Sequence, residues 1–415
     1  MSVSINKKLT EIKVLRDPVH EYIRISDEVI WNLIDTKEFQ RLRRIHQLGG
    51  TYQVYHGAEH SRFSHSLGVY EISRRMVEEV KGLKENLTVF EQISLKCAAL
   101  LHDVGHGPFS HAFESVTNTN HEIMSIEIIL GETQINQVLK SYDPKLPSAV
   151  ASIINHQHPK KLLTQLVSAQ MDADRMDYLL RDSFFTGVSY GHFDLERVLR
   201  TLLIHNDRVV VKESGINAVE DYIMARYQMY WQVYYHPVSR SFEIMLTNMF
   251  RAIKDVYQVD PEHIKLLTPF FIPFINGKVV SVEDHLNLDE PTCYYGFKTL
   301  SKNPKYKTLQ DLARRLLDRD LFKYVDYDET IKEKLEKLLL QQGYDSKYYL
   351  GSDSMRQRPY IPYRLNNEDN LISILLRDGT VAEITKVSPI VEAMADAKLK
   401  EDNKIFSIKE IFDEL

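Results

Sequence analysis

The chain has 415 residues, more than one hydrophobic core usually supports, so one large and one smaller domain are expected. With 43% hydrophobic and 27% charged residues it falls among ordinary globular proteins, and a net charge of -6 argues against a stable nucleic-acid complex. Cys97 and Cys293 offer neither a disulfide framework nor a CxxC motif, and no apolar run reaches the ~18 residues of a membrane span, so a cytoplasmic, non-membrane protein is expected.

From about residue 26 to 258 the sequence predicts successive helices. Ser26 is placed to cap a helix whose Val29, Ile30, Leu33 and Ile34 share one buried face. Arg41, Arg43, Arg44 and Arg62 form a local basic group able to receive an anion, whereas Arg74 and Arg75 read as a solvated helix face. Gly49 and Gly50 break the helical pattern, and Thr88 with Glu91 forms a capping box opening a helix that ends at His102 and Asp103. The stretch VGHGPFSHAFESVTNTNH predicts a loop. Further helices are expected over roughly 160–182 and 217–235.

After about residue 260 prolines punctuate shorter elements, and Asp378-Gly379 between two apolar runs predicts a β-hairpin. The expected fold is mainly α, with residues 1–258 as a helical domain and 259–415 as a smaller α+β domain for assembly or regulation.

The chemistry centres on His102 and Asp103, an imidazole and a carboxylate at one helix end. With His65 upstream and Asp174 downstream they form a ligand set suited to Mg, Mn, Fe, Ni or Zn. Such a site leaves room for water and substrate, and an ion there supports hydrolysis near neutral pH. Asp174, Asp177, Tyr178 and Arg181 share a helix face by spacing; Asp177 and Arg181 read as a salt-bridged, partly exposed pair. His106, His111 and His121, with Glu114 and Glu122, are candidates for proton transfer. His156 and His158, in NHQHP, read as surface or capping residues.

The ordered segments QLGGTYQVYHGAEHSRFSHSLGVY, LLHDVGHGPFSHAFE and MDADRMDYLLRD resemble the HD-domain deoxynucleoside triphosphate triphosphohydrolases over roughly residues 11–258. The resemblance implies an HD-domain helical core, with His65, His102, Asp103 and Asp174 as metal ligands and His111, Glu114, His121 and Glu122 as the acid–base group. It further implies triphosphate and sugar contacts from Arg62, Asp172, Arg175, Tyr178 and Arg226, with Arg175 standing where the vertebrate enzyme has lysine. Gln47 and Leu48 match the wall at the sugar 3′-hydroxyl, and Tyr234 an aromatic beside the 2′ carbon. Spacing alone reads Arg226, Tyr230 and Tyr234 as a packing stripe.

The same resemblance implies activation by GTP or dGTP and a homotetramer. Asp35, Gln40 and Arg43 match residues that read the guanine edge, Lys13 a phosphate-binding lysine on a neighbouring subunit, and Val54 and Tyr55 the lining of a second effector pocket. Arg197 and Lys212 match its phosphate contacts. The implied reaction is dNTP hydrolysis to deoxynucleoside and inorganic triphosphate. Two alternatives are an HD phosphodiesterase for another nucleotide, which the absence of a GYP signature disfavours, and a non-catalytic nucleotide or nucleic-acid binding protein.

Overall fold

A computed structural model describes residues 4–117, 119–357, 371–412 and 414–415. The fold is mainly α, and two apolar clusters organise it: one drawn chiefly from the first 233 residues, the other from 109–113 and 242–411.

An antiparallel ribbon opens the chain, β1 (Lys8–Asp17) on β2 (Glu21–Asp27). The following helix, Glu28–Ile34, buries Val29, Ile30, Leu33 and Ile34 as their spacing predicts. Its N-cap is Asp27 and not Ser26, which lies in β2. The Asp27 carboxylate makes no capping bond because Lys8 and Lys96 claim it.

Three helices build the centre of the first cluster: α1 (Arg62–Glu79), α2 (Val89–Leu101) and, after α3 (His111–Thr117) and α4 (His121–Leu130), α5 (Ala173–Thr186). The Thr88 capping box forms as the sequence predicts. Gly68 lets α1 and α5 approach closely, since a Cβ there would stand 1.8 Å from Asp177 Oδ1.

Several expectations need correction. The segment after His102 is not all loop, because Phe109, Ala112 and Phe113 dock into the second cluster and draw residues 111–117 into helix α3. The helix expected over 160–182 is two, Lys161–Val167 and α5. Asp172 divides them, its carboxylate accepting from the backbone N–H groups of Ala169 and Arg175, both at 2.6 Å. Arg74 is buried against Glu71 and Glu78 instead of lying on a solvated face.

Strands β3 (Leu202–His205) and β4 (Arg208–Lys212) precede α6 (Ile216–Met229), which continues into a π turn closed by Tyr235 N–H on Tyr230 O at 2.8 Å. The second cluster gathers around α7 (Pro237–Val259) and α8 (Glu290–Leu300), with strands β5 (Lys323–Asp326) and β6 (Leu350–Gln357). The expected hairpin exists as β7 (Ser373–Leu375) and β8 (Val381–Glu383), turning at Gly379 with φ +88°. It crosses back to the first cluster, where β7 runs parallel to β4. Strand β9 (Lys400–Ser407) then lies between β5 and β6.

Candidate metal and catalytic centre

Helix ends deliver the central side chains. His102 is the C-cap of α2, the helix that the Thr88 capping box opens. Asp172 caps α5 and thereby puts Asp174 in its first turn, while His65 projects from the first turn of α1. Ligand atoms of His65, His102 and Asp174 all lie within 4.8 Å of one another. His65 Nε2 stands 3.1 Å and His102 Nε2 3.6 Å from Asp174 Oδ1, and Asp103 Oδ1 is 3.4 Å from His102 Nε2.

Tautomers follow from the opposite ring atoms. His65 Nδ1 faces Asp177 Oδ2 at 2.8 Å, and His102 Nδ1 faces Ala99 O at 2.9 Å, so both Nδ1–H groups donate outward. Among the described residues neither buried Nε2 atom has a hydrogen-bond partner of good geometry. Orphaned lone pairs beside two carboxylates fit a divalent cation, with an imidazole and carboxylate donor set typical of Mn, Fe or Zn. Burial alone would lower the His65 pKa, yet Asp174 and Asp177 push it up to about 10. Burial alone would raise Asp103 and Asp174, but His102 with Arg62 holds the first well below the ordinary carboxylate range, and His102 with His65 does the same for the second. A bound cation takes over this charge-neutralising role from the imidazole protons.

Behind His65 lies a buried network that sequence spacing did not resolve. Asp177 and Arg181 are salt-bridged, as expected, but both are 0% exposed. Arg181 reaches on to Asp17 at 2.8 Å, and Asp177 also meets His20 Nε2 at 2.6 Å. Asp17 and His20 come from the β1 end and its turn, so only the tertiary fold brings them here.

On the other side of Asp103, His106 and His121 stack with ring centroids 3.9 Å apart and planes 13° apart. Glu114 Oε1 accepts from His121 N–H at 3.1 Å and meets His121 Nδ1 at 2.7 Å, and His106 Nε2 is 3.3 Å from Asp103 Oδ1. These three residues also lie close enough to hold an ion. Near-parallel rings aim their in-plane lone pairs alongside each other instead of at one point, which suits a proton relay better. Burial, reinforced by the Arg62 charge and opposed by Asp103, lowers the His106 pKa well below its ordinary value. Glu122 is exposed at a cleft of about 430 Å³ that His102, Asp103, His121, His156 and Asp174 also line. His156 therefore adjoins the centre, a proximity its sequence context does not signal. The side chain of His111 lies outside the described residues.

Arg62 is buried, donating to the Asp103 carboxylate and, from Nη2, to Ser110 Oγ at 2.7 Å. The Gln47 carbonyl faces the same guanidinium at 3.4 Å, and Leu48 packs on the first cluster. Arg175 Nε lies 3.7 Å from Asp172, whose carboxyl is pushed up to about 7 by burial and by Asp174, against the opposing charge of Arg175. Arg226 donates to Gln170 Oε1 at 2.7 Å. Tyr234 meets Tyr178 edge-on at 6.1 Å and donates its hydroxyl to Asp182 at 2.8 Å; His60 holds the other Asp182 oxygen at 2.8 Å.

The remaining predicted residues fall into separate surface groups. Gln40 donates to Ile34 O beside exposed Asp35 and accepts from Arg43 Nε, both at 2.8 Å, while the Arg43 guanidinium sits 3.5 Å over the Phe63 ring. Arg41 faces inward, against the expectation of an anion-receiving cluster; its guanidinium is spent on backbone carbonyls, including His106 O at 2.7 Å. Tyr55, next to half-buried Val54, donates to Gln232 O at 2.6 Å. Arg197 donates to Ser214 O at 2.7 Å and Lys212 to Arg200 O at 3.2 Å, which joins them at one helix–strand junction. Lys13, on β1, pairs with Glu11 at 3.6 Å.

Comparison with known proteins agrees with this geometry. The HD domain profile matches residues 62–182, and a profile described as HD associated region matches 193–268. The uncharacterized protein YwfO of Bacillus subtilis is 47% identical over 98% of this chain and 94% of its own length. The deoxynucleoside triphosphate triphosphohydrolase SAMHD1 homolog of Dictyostelium discoideum is 30% identical over 76% of this chain and 60% of its own length. A phosphohydrolase crystal structure from Bacteroides thetaiotaomicron superposes with TM-score 0.84 at 29% identity, over 96% of this chain and 100% of that one.

Proposed function

Because the chain belongs to the HD-domain phosphohydrolase family, we propose that it hydrolyses deoxynucleoside triphosphates to deoxynucleoside and inorganic triphosphate. The observation that carries this reading is the pairing of buried, orphaned His65 and His102 Nε2 atoms with Asp103 and Asp174, next to the guanidinium of Arg62. These four side chains would hold a divalent ion, which would supply Lewis-acid polarisation of a phosphoryl oxygen and activation of water. The residues around it do the rest. Arg62 and Arg175 offset charge on the triphosphate, with Tyr178, Asp172 and Arg226 completing that wall. His121, oriented by Glu114, delivers a proton to the departing 5′ oxygen, and Glu122 and His111 belong to the same acid–base group.

The deoxy preference rests on Tyr234. Its ring is held at both ends, by the hydroxyl bond to Asp182 and by the edge contact with Tyr178, and a rigid ring beside the 2′ carbon excludes a ribose hydroxyl. Gln47 and Leu48 form the 3′ side. The name of the Dictyostelium relative, a deoxynucleoside triphosphate triphosphohydrolase SAMHD1 homolog, supports the substrate class.

Asp35, Gln40 and Arg43 share one surface patch, the chemistry that a guanine edge requires, and we assign GTP or dGTP to it as activator. Lys13 from a neighbouring subunit, and Val54, Tyr55, Arg197 and Lys212 at a second effector pocket, complete a homotetramer in the cytoplasm, with residues 259–415 contributing assembly contacts.

The test is direct assay of triphosphate release from each dNTP and each NTP, with and without dGTP, alongside light scattering. Triphosphate released from dNTPs but not from ATP or GTP supports the substrate assignment. Comparable turnover of ATP and dATP, or monophosphate as product, overturns it. Full activity as a monomer indifferent to dGTP overturns the regulatory part alone.

A further inference from the structure

Phe109 and Ser110 both occupy the left-handed region, at φ +57° and +51°. Neither is glycine or asparagine, and such residues are strained there, so the surroundings must hold the pair in place. They lie between His106 and α3 in the catalytic loop. Ser110 Oγ accepts from Arg62 at Nε (3.2 Å) and Nη2 (2.7 Å), so the turn also aims the guanidinium that meets Asp103.

What restrains the turn comes largely from the second cluster. The Phe109 ring, 2% exposed, sits among Phe242, Tyr294 and Phe297. Its N–H donates to Glu290 Oε1 at 3.2 Å; that carboxylate, 1% exposed, is the first residue of α8. The same oxygen accepts from His46 N–H at 3.0 Å, and Oε2 meets His46 Nδ1. Glu290 thus ties residue 46, the turn at 109–110 and α8 together with one buried group. Gly49, at φ +52°, allows the approach from the other side, since a Cβ there would lie 3.3 Å from Phe109 O.

We infer that Glu290 is a positioning residue for hydrolysis: it stabilises the left-handed turn at Phe109 and Ser110, which in turn sets Arg62 and the loop bearing His106. The assignment rests on the phosphohydrolase reading of the centre, but the turn itself is observable without substrate. The hydrogen bonds of Glu290 go to residues 46 and 109, so its influence passes through backbone geometry. A misplacement of about 1 Å in a catalytic group costs on the order of 10²-fold in rate.

The experiment compares wild type, Glu290→Ala and Glu290→Gln by crystal structure, metal content, melting temperature and steady-state kinetics with dATP. Glu290→Ala is expected to lose the left-handed turn and the Ser110–Arg62 bond, keep its metal, and fall about 10- to 100-fold in kcat with a smaller change in KM. Glu290→Gln retains an acceptor oxygen for Phe109 N–H and is expected to recover most of kcat. An unchanged turn in Glu290→Ala overturns the inference, as does a changed turn with unchanged kcat, or a kcat loss in Glu290→Ala that Glu290→Gln fails to recover. If wild type does not cleave dATP, the substrate reading fails, and the turn in the Glu290→Ala crystal structure still decides the positional claim.

Discussion

Asp177→Asn keeps the shape of the residue behind the metal site and removes its charge. Four donor atoms converge on the native carboxylate: His65 Nδ1 at 2.8 Å, His20 Nε2 at 2.6 Å, and Arg181 Nε and Nη2 at 2.8 and 2.9 Å. An amide accepts through one oxygen only and turns its own N–H groups toward donors. Two charge-assisted hydrogen bonds are lost, at about 1.5–3 kcal/mol each. Arg181 keeps Asp17 as a partner, so the net loss is bounded by the ~3–5 kcal/mol of a broken buried pair. The same change frees the His65 ring, and loss of a partner of this kind weakens metal affinity about 10- to 100-fold. Burial would raise the Asp177 pKa, but Arg181, His20 and His65 hold it well below its ordinary 3.8. Its stabilising contribution is therefore present above the unfolded-state pKa and is lost as pH falls toward the folded value. Wild type should lose stability steeply below about pH 4, and the variant should show a shallower acid limb over that range. Urea unfolding across pH measures the first effect, and chelator competition with elemental analysis the second. A variant within about 0.5 kcal/mol of wild type and with unchanged metal affinity would refute the reasoning.

His121→Ala should retain metal and lose about 10² to 10⁴ in kcat, because the departing oxygen loses the proton donor that Glu114 orients; single-turnover assay with elemental analysis checks both, and near-normal turnover removes the relay. His285, buried near the Arg41 guanidinium, has its pKa lowered to about 3, first by burial and then by that charge. Below 6.5 the unfolded chain takes up a proton that the folded chain refuses, so His285 costs up to ~1.4 kcal/mol of stability per pH unit as pH falls from 6.5 toward 3. His285→Phe should flatten that slope in denaturant titrations, and an unchanged slope assigns the acid sensitivity elsewhere.

What the sequence made legible was whatever local chemistry determines. Thr88 and Glu91 three residues apart announce a capping box, and Asp378-Gly379 announces a turn, because both signals are complete within a few residues. The ordered motifs pointed to His65, His102 and Asp174, whose ligand atoms the fold brings within 4.8 Å of one another. Asp177 and Arg181 were misplaced for a physical reason: polar residues at i and i+4 look the same on a wet face and on one pressed against Gly68. The division of the 160–182 helix carried a signal in Asp172, an N-cap residue three before Arg175, but no glycine or proline marked the break. Phe109 and Ser110 were opaque because tertiary contacts alone sustain their conformation. Asp17, His20 and Glu290 lie too far along the chain from the residues they serve for any window to connect them.

The parallel pairing of β4 with β7 has a consequence for the order in which this protein can be made. Ile372, Ile374, Ile384, Val391 and Met394 belong to the first apolar cluster, although most of that cluster is synthesised before residue 234. A nascent chain that has just emerged through α7 therefore exposes one edge of β4 and an uncovered apolar face. Closure must wait for some 130 further residues, roughly 7 to 26 seconds at about 5 to 20 residues per second. During that interval the waiting strand edge is open to any other extended segment, including the same strand of a neighbouring nascent copy on one polysome.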